Sequence, residues 1–333
     1  MERDFTCNRR TLLAGAASMA LTGLLAFPRG AQAQGAYPSK PVRIIVPFAP
    51  GGPTDVVARM VGAPLQERFG QAVVIENRGG AGGNIGAGAA AKADPDGYTL
   101  LMHSSAYMVN PGLYKTVPYD PYKDFAPITE LVTSPNIFVA HPGAQLDSMR
   151  ALVDQAKANP SKLNYASPGV GTTPQLAAEL LKLRTGVTIT HVGYPGAGPA
   201  TQAVLAGTTQ IACAALPTVH PHIRSGGLKA LAVTSNERWH DLPDVPTMAE
   251  AGFPDFVSET ALIFMAPAGT PPAVIARLVE ESMAILKGAE LRTRAQNAGY
   301  VVLGAGPTAL AERIKREVPA FQDLISKAGI ARI

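Results

Sequence analysis

Val46-Pro47-Phe48-Ala49-Pro50-Gly51-Gly52-Pro53-Thr54-Asp55 is the stretch on which the fold turns. It closes Val42-Arg43-Ile44-Ile45-Val46, a short apolar run with β-branched bias that reads as a buried strand. Beyond it, Val57, Met60, Val61 and Leu65 keep helical spacing. Thr54 is the expected N-cap, and Asp55 falls in the first turn, where an acid suits the positive end of a helix. Pro64 inside the pattern predicts a kink or a break. The predicted unit is strand, Gly/Pro loop, Thr-capped helix. It recurs at 163–183: a strand Leu163-Asn164-Tyr165-Ala166, a loop Ser167-Pro168-Gly169-Val170-Gly171-Thr172-Thr173, and a helix from Pro174 to about Leu183.

Between and after these units the alternation continues. Ala72-Val73-Val74-Ile75-Glu76 is a second strand, and Tyr98-Thr99-Leu100-Leu101-Met102 a third after an Asp96-Gly97 turn. Residues 104–135 are rich in Pro and Tyr and weakly periodic; Asn136-Ile137-Phe138-Val139-Ala140 is the next strand. Ser148 to Ala158 reads as a helix with Met149, Leu152, Val153 and Ala156 on one face. Strands are expected at 187–192, 209–213 and 228–233, with a helix near 198–206 and long helices at 271–287 and 307–327. Such alternation implies an α/β protein with a parallel sheet covered by helices. Two α/β lobes, each with a glycine loop at a strand's C-terminal end, suggest a ligand cleft between them.

Composition narrows the class. Hydrophobic residues are 47% of the 333 and charged residues 16%, below the usual ~25%, which excludes a disordered or coiled-coil chain. A net charge of +4 lacks the basic stripe of a nucleic-acid binder. The 33 glycines and 29 prolines lie scattered between apolar runs, as loops do. Residues 1–33 read as a signal peptide: Arg9 and Arg10, an apolar Leu12–Phe27 short of the ~20 residues of a membrane span, and an Ala31-Gln32-Ala33 cleavage site. Asn8-Arg9-Arg10-Thr11-Leu12-Leu13 fits a twin-arginine signal. The segment carries four arginines against Glu2 and Asp4, so its removal takes the chain from +4 to +2. It also takes Cys7, leaving Cys213 and no intrachain disulfide. A soluble product outside the inner membrane is expected.

The chemistry sits in the loops. Gly51 and Gly52 let backbone N–H groups approach a ligand, and the following helix end adds orphan donors and about half a positive charge. That is an anion site without a lysine or arginine, and Ser167–Thr173 can offer the same from the other lobe; both could also be plain strand–helix turns. Gly86-Ala87-Gly88-Ala89-Ala90-Ala91 matches G-x-G-x-x-A, but it starts too far past its strand and no acid follows at ~20 residues, so no dinucleotide is expected. No G-x-S-x-G elbow and no H-E-x-x-H pattern occurs; neither catalysis nor a cofactor or metal is expected, although His220-Pro221-His222 could in principle hold one. Cys213 reads as buried and inert, Phe264 and Met265 as core, and Glu312-Arg313-Ile314-Lys315-Arg316-Glu317 as a solvated helix face with i,i+4 pairs.

Several segments together resemble one family. Val46 to Asp55, Glu76-Asn77-Arg78 with the glycines to Gly86, Asp94-Pro95-Asp96-Gly97-Tyr98, and Asp124-Phe125-Ala126-Pro127-Ile128 are followed in order by Leu163-Asn164-Tyr165-Ala166-Ser167 and Tyr194-Pro195-Gly196-Ala197-Gly198-Pro199-Ala200. Leu228 to Thr234, Leu242 to Thr247 and Ala266-Pro267-Ala268-Gly269-Thr270-Pro271 complete the set. The chain resembles the Bug-type solute-binding proteins of tripartite tricarboxylate transporters. The resemblance implies a type II periplasmic-binding-protein fold, with two lobes (37–136 with 260–333, and 137–259) joined by crossover strands. It implies capture of a small organic acid by lobe closure in the periplasm and delivery to membrane permease subunits, by a monomer that binds no nucleic acid. The same module could instead be a sensor presenting its ligand to a membrane receptor. The ligand residues it implies are Phe48, Ala49, Pro50, Gly51, Gly52, Thr54 and Asp55; Ser104; Ser167, Gly169, Gly171, Thr172 and Thr173; and Tyr194, Gly196 and Ala197. The sequence departs from the family's pattern at Gly207-Thr208-Thr209-Gln210, Ala214, Ala261 and Ile263, where a changed pocket could accept a different or larger ligand.

Overall fold

In a computed structural model the structure describes Glu2 and residues 37–333. The export segment read at 1–33 lies, apart from Glu2, outside the described residues. Among the described residues no helix is long and apolar enough to cross a membrane. Lys40–Ile333 is one compact unit.

The first predicted unit folds as β1 (Val42–Val46) and α1 (Pro53–Phe69). Four of the five β1 residues are buried, as a strand covered on both faces requires. Pro64 neither breaks α1 nor ends it; the helix runs on to a left-handed Gly70 whose N–H closes onto the Gln66 carbonyl. Next come β2 (Val73–Asn77), a 3₁₀ turn (Ala81–Gly83), α2 (Asn84–Ala91) and β3 (Thr99–Ser104). The weakly periodic stretch then holds two unforeseen pieces: α3 (Ala106–Leu113) and the first part of β4, which spans Phe125–Ala140. The second unit follows as α4 (Met149–Ala158), β5 (Asn164–Ser167), α5 (Thr173–Thr185), β6 (Thr190–Gly193) and α6 (Ala197–Leu205). The chain finishes with β7 (Ile211–Ala215), α7 (Leu216–Arg224), β8 (Lys229–Val233), β9 (Glu259–Pro267), α8 (Pro272–Lys287), α9 (Ala289–Asn297), β10 (Val301–Ala305) and α10 (Pro307–Lys327).

The sheet is mixed, which corrects the expectation of a parallel one. Its strand order is β2-β1-β3-β9-β4-β7-β5-β6, with β8 and β10 also pairing with β4. The helix-crossover pairs β1–β2, β1–β3 and β5–β6 are parallel, as is β5–β7. Every pairing of β4 is antiparallel. The reason is that β4 runs straight from one half of the sheet into the other with no crossover helix. Its Phe125–Pro135 part pairs with β9, and its Asn136–Ala140 part with β7. Pro127 sits at a register shift against β9 and Pro135 at the end of that ladder, where a missing N–H is tolerated.

Side-chain alternation along β4 feeds two cores of the second half. Phe138 and Ala140 join Leu152, Tyr165, Leu181 and Cys213, while Ile137 and Val139 on the opposite face join Ala166, Val204, Leu216 and Trp239. Cys213 is fully buried, and burial pushes its thiol up, in keeping with the inert role expected. In the first half Ile45, Leu101, Tyr107 and Met265 pack with Leu310 and Ile314 of α10. A smaller cluster of Val109, Leu113, Leu176 and Ile325 joins α3, α5 and α10.

The charge run on α10 corrects one expectation. Glu312 and Lys315 do pair on the solvent side at 3.0 Å, and Arg313 pairs with Glu317 at 2.8 Å. Arg313, however, turns inward and ion-pairs with Glu130 of β4, a residue only 4% exposed. Burial pushes the Glu130 carboxyl up, against the pull of Arg313. Removing one partner of a buried pair strands the other charge. Arg313→Ala is therefore expected to cost about 3–5 kcal/mol, read as a lower midpoint in urea unfolding.

Candidate functional site

Strand direction decides where the loops point. β3 ends at Ser104, opposite Leu262 of β9, which faces Val132 of β4; β1 runs parallel to β3. In the other half β7 ends at Ala215, opposite Asn136 of β4, and β5 and β6 run parallel to β7. The C-terminal ends of both halves thus converge on the Val132–Asn136 segment of β4. The loops after β1, β3, β5 and β6 are those that carry the residues expected to bind ligand.

The first loop is organised by a carboxylate. Asp55, 3% exposed, accepts the Gly51 N–H at 2.9 Å, the Arg59 Nε and Nη2 at 3.0 Å each, and the Asn77 Nδ2 at 3.0 Å. Asn77 also donates to the Phe48 carbonyl at 3.1 Å. Burial alone would raise the Asp55 carboxyl, but the bonds from Arg59, Gly51 and Asn77 outweigh it and hold it below its usual value. Thr54 is not the N-cap. Gly52 holds that place with extended backbone, Pro53 starts the helix, and Thr54 is buried within the first turn. The cap moves because Asp55 already reaches back over the turn to Gly51. Gly51 lies at φ +76°, where a side chain would be strained. Its N–H is spent on Asp55, so the first-turn N–H groups of Thr54 and Asp55 remain the donors such a helix end presents.

The helix after the second loop is threonine-capped as expected, but it begins at Thr173 rather than at Pro174. Thr172 caps α5, its Oγ1 accepting from the Gln175 N–H at 3.4 Å and donating to the Gly169 carbonyl at 2.8 Å. Ser167 Oγ accepts the Gly169 N–H at 3.2 Å. Thr173 Oγ1 lies 2.5 Å from Thr260 Oγ1 of β9, tying this helix end to the first half. Gly171, at φ +81°, approaches α3 so closely that a Cβ would stand 2.1 Å from Leu113 Cδ2. The Tyr194–Ala197 loop lies alongside: the Gly196 N–H reaches the Pro168 carbonyl at 3.1 Å and Tyr194 N–H the Ser167 carbonyl at 3.0 Å. Gly196, at φ +123°, is the N-cap of α6, which Ala197 begins. Ser104, expected just after the third strand, is instead the last residue of β3; it is half-buried, its Oγ accepting the Ala106 N–H at 3.3 Å.

The glycines of 79–88 serve packing. A Cβ on Gly86 would lie 2.7 Å from Pro47 Cβ, and one on Gly83 2.7 Å from His103 Nε2, so α2 and the turn before it can press against the first loop only without side chains there. Three supporting residues escaped the sequence reading. Arg59 had a signal in its i,i+4 spacing from Asp55 and Asn77 lay in a family-matching segment, whereas His103 had none. His103 is fully buried beneath the Phe48 ring, 5.3 Å between centroids, and burial pushes its imidazole down to about 4, so it is neutral. Among the described residues no cluster of His, Cys, Asp or Glu could hold a metal ion. His220 Nε2 instead bonds Asp241 Oδ2 at 2.9 Å.

The fold and these loops define a two-halved binding protein of the periplasmic type. Residues 57–330 match the tripartite tricarboxylate transporter family receptor, and the chain belongs to that family. Protein BugT of Bordetella pertussis is 44% identical over 244 residues, 73% of this chain and 75% of BugT. Rpa4515 of R. palustris, solved with adipate, superposes with a TM-score of 0.83 at 33% identity, covering 89% of this chain and all of that one. MatC of Rhodopseudomonas palustris, solved with bound malate, gives 0.79 at 32% identity over 87% of this chain and all of MatC. Of the departures from the family pattern, Ala214, Ala261 and Ile263 are buried in strands β7 and β9, and Gln210 accepts the Asn164 N–H at 2.9 Å.

Asp55→Ala is expected to cost about 1–3 kcal/mol, the penalty for leaving buried donors unpaired. Because the folded-state pKa lies below the usual 3.8, this contribution is complete above that pH and fades as the pH falls through the folded value. Denaturant midpoints of the two proteins should therefore differ at pH 7 and converge in strong acid.

Proposed function

We propose that this chain is a periplasmic solute-binding protein that captures a small organic acid by closure of two lobes, 37–136 with 260–333 and 137–259. The observation that carries this reading is the convergence of glycine-bearing loops from both halves of the sheet on one segment of β4. Backbone donors at the N-termini of α1, α5 and α6 suit a carboxylate, and relatives at 33% and 32% identity hold adipate and malate. The ligand set comprises Phe48–Gly52, Thr54, Ser104, Ser167, Gly169, Gly171–Thr173, Tyr194, Gly196 and Ala197, with Asp55 fixing the first loop. Ligand touching both lobes only when they close shifts the population to the closed state. The family places such a receptor with a tripartite transporter, so the captured acid passes to its membrane subunits. Residues 1–33 supply the export signal.

A melting-temperature screen against dicarboxylates, tricarboxylates and aromatic acids tests this. A true ligand at ~100 times its Kd adds about 2.7 kcal/mol of stability. No shift with any carboxylate overturns the reading. Gly52 sits at φ −74°, ψ 166°, a backbone any residue adopts, and a Cβ there meets only the Ala49 carbonyl at 3.3 Å. Gly52→Val should therefore fold yet lose ligand binding; unchanged affinity refutes the backbone cradle.

A further inference from the structure

The loop after β5 rests on a histidine, His191 of β6. The parallel register pairs Tyr165 with His191 and Ser167 with Gly193, so Tyr165, Ser167 and His191 lie on one face of the β5–β6 ladder. The His191 ring stacks on Tyr165, 4.8 Å between centroids, and Tyr165 donates its hydroxyl to Glu179 of α5 at 2.6 Å. His191 Nε2 lies 2.7 Å from Ser167 Oγ. From there a polar chain runs to the helix end: Ser167 to Gly169, Gly169 to Thr172, Thr172 to the Gln175 N–H.

This chain works in either protonation state. With a neutral ring, Ser167 donates to Nε2 and its oxygen accepts the Gly169 N–H. With a charged ring, Nε2–H donates to Ser167 Oγ, and the hydroxyl turns to the Gly169 carbonyl, 3.3 Å away. Protonation thus leaves the loop intact and puts a positive charge directly beneath it. The groups facing His191 are Tyr165 on β5 and Glu179 and Lys182 on α5. Burial pushes the imidazole below its usual 6.5; Glu179 pulls it up and Lys182 pushes it down. A ligand anion seated on the loop adds a second upward pull.

We propose that His191 is a positioning residue for the anion loop and that carboxylate capture takes up a proton on its ring. The inference rests on the 167–173 loop being half of the ligand site. By linkage, affinity for a carboxylate rises as the pH falls through the imidazole range, and comparison with a His191 variant at the same pH cancels any titration of the ligand itself.

The test is titration calorimetry of the full protein with adipate and malate as probes, from pH 7.5 to 5.5, in buffers of different ionisation enthalpy. Wild type should gain affinity several-fold toward pH 5.5 and take up a fraction of a proton more than His191→Gln at the same pH. Glutamine keeps a neutral bond to Ser167, so His191→Gln should restore most of the affinity that His191→Leu loses at pH 7.5. Equal proton uptake and parallel pH profiles in wild type and His191→Gln overturn the coupling. Full affinity in His191→Leu overturns the positioning role. No binding of either acid or of any other carboxylate by wild type overturns the site reading itself, and this inference with it.

Discussion

One strand, Phe125–Ala140, is hydrogen-bonded into both halves of the sheet, and the site depends on that continuity. Because β3 runs antiparallel to β9, and β9 and β7 both run antiparallel to β4, the C-terminal ends of β3 and β7 face each other across the Val132–Asn136 segment. No side chain has to draw the loops together; ladder direction does. The second tie is polar: Thr173 of α5 bonds Thr260 of β9, and Thr260 donates to Asn136 Oδ1 at 3.4 Å. The third is apolar, where Gly171 lets the second loop press on Leu113.

Electrostatics within the site follow a consistent economy. The first loop carries an acid, Asp55, yet its charge is met by Arg59 and its oxygens are occupied by Gly51, Arg59 and Asn77. The acid therefore shapes the anion loop without opposing an anion. His103, under Phe48, is held neutral by burial. In the function proposed for this chain, attraction for a carboxylate falls to helix-end donors on one side and to the His191-backed loop on the other.

Much of this was legible in the chain. Four of the five residues of Val42–Val46 are buried as its composition demands, and a threonine cap on the helix after β5 follows from the hydroxyls placed just ahead of a helical pattern. The Thr54 cap did not follow, since a neighbouring carboxylate with three partners outcompeted a hydroxyl. The first part of β4 was hidden because Pro127, Thr129, Glu130 and Pro135 interrupt its apolar pattern. Those residues are tolerated by register shifts, by Arg313 reaching in from α10, and by the Thr129 hydroxyl bonding the Ala305 carbonyl at 2.8 Å. Helices α3 and α7 were missed for the same kind of reason: Pro111, Pro217 and Pro221 lie inside them, and packing rather than propensity holds them.

The sequence by itself determined local units: that apolar runs such as Val42–Val46 and Val73–Asn77 become strands, and that glycine loops follow β1 and β5. These are short-range facts, set by periodicity, turn chemistry and backbone sterics. Only the tertiary structure decided that the sheet is mixed, that Asp55 is a strut, that Arg313 turns inward and that His191 stands beneath Ser167. Each of those depends on residues far apart in the chain meeting in one place, Asn77 in the case of Asp55, and no local pattern encodes such a meeting.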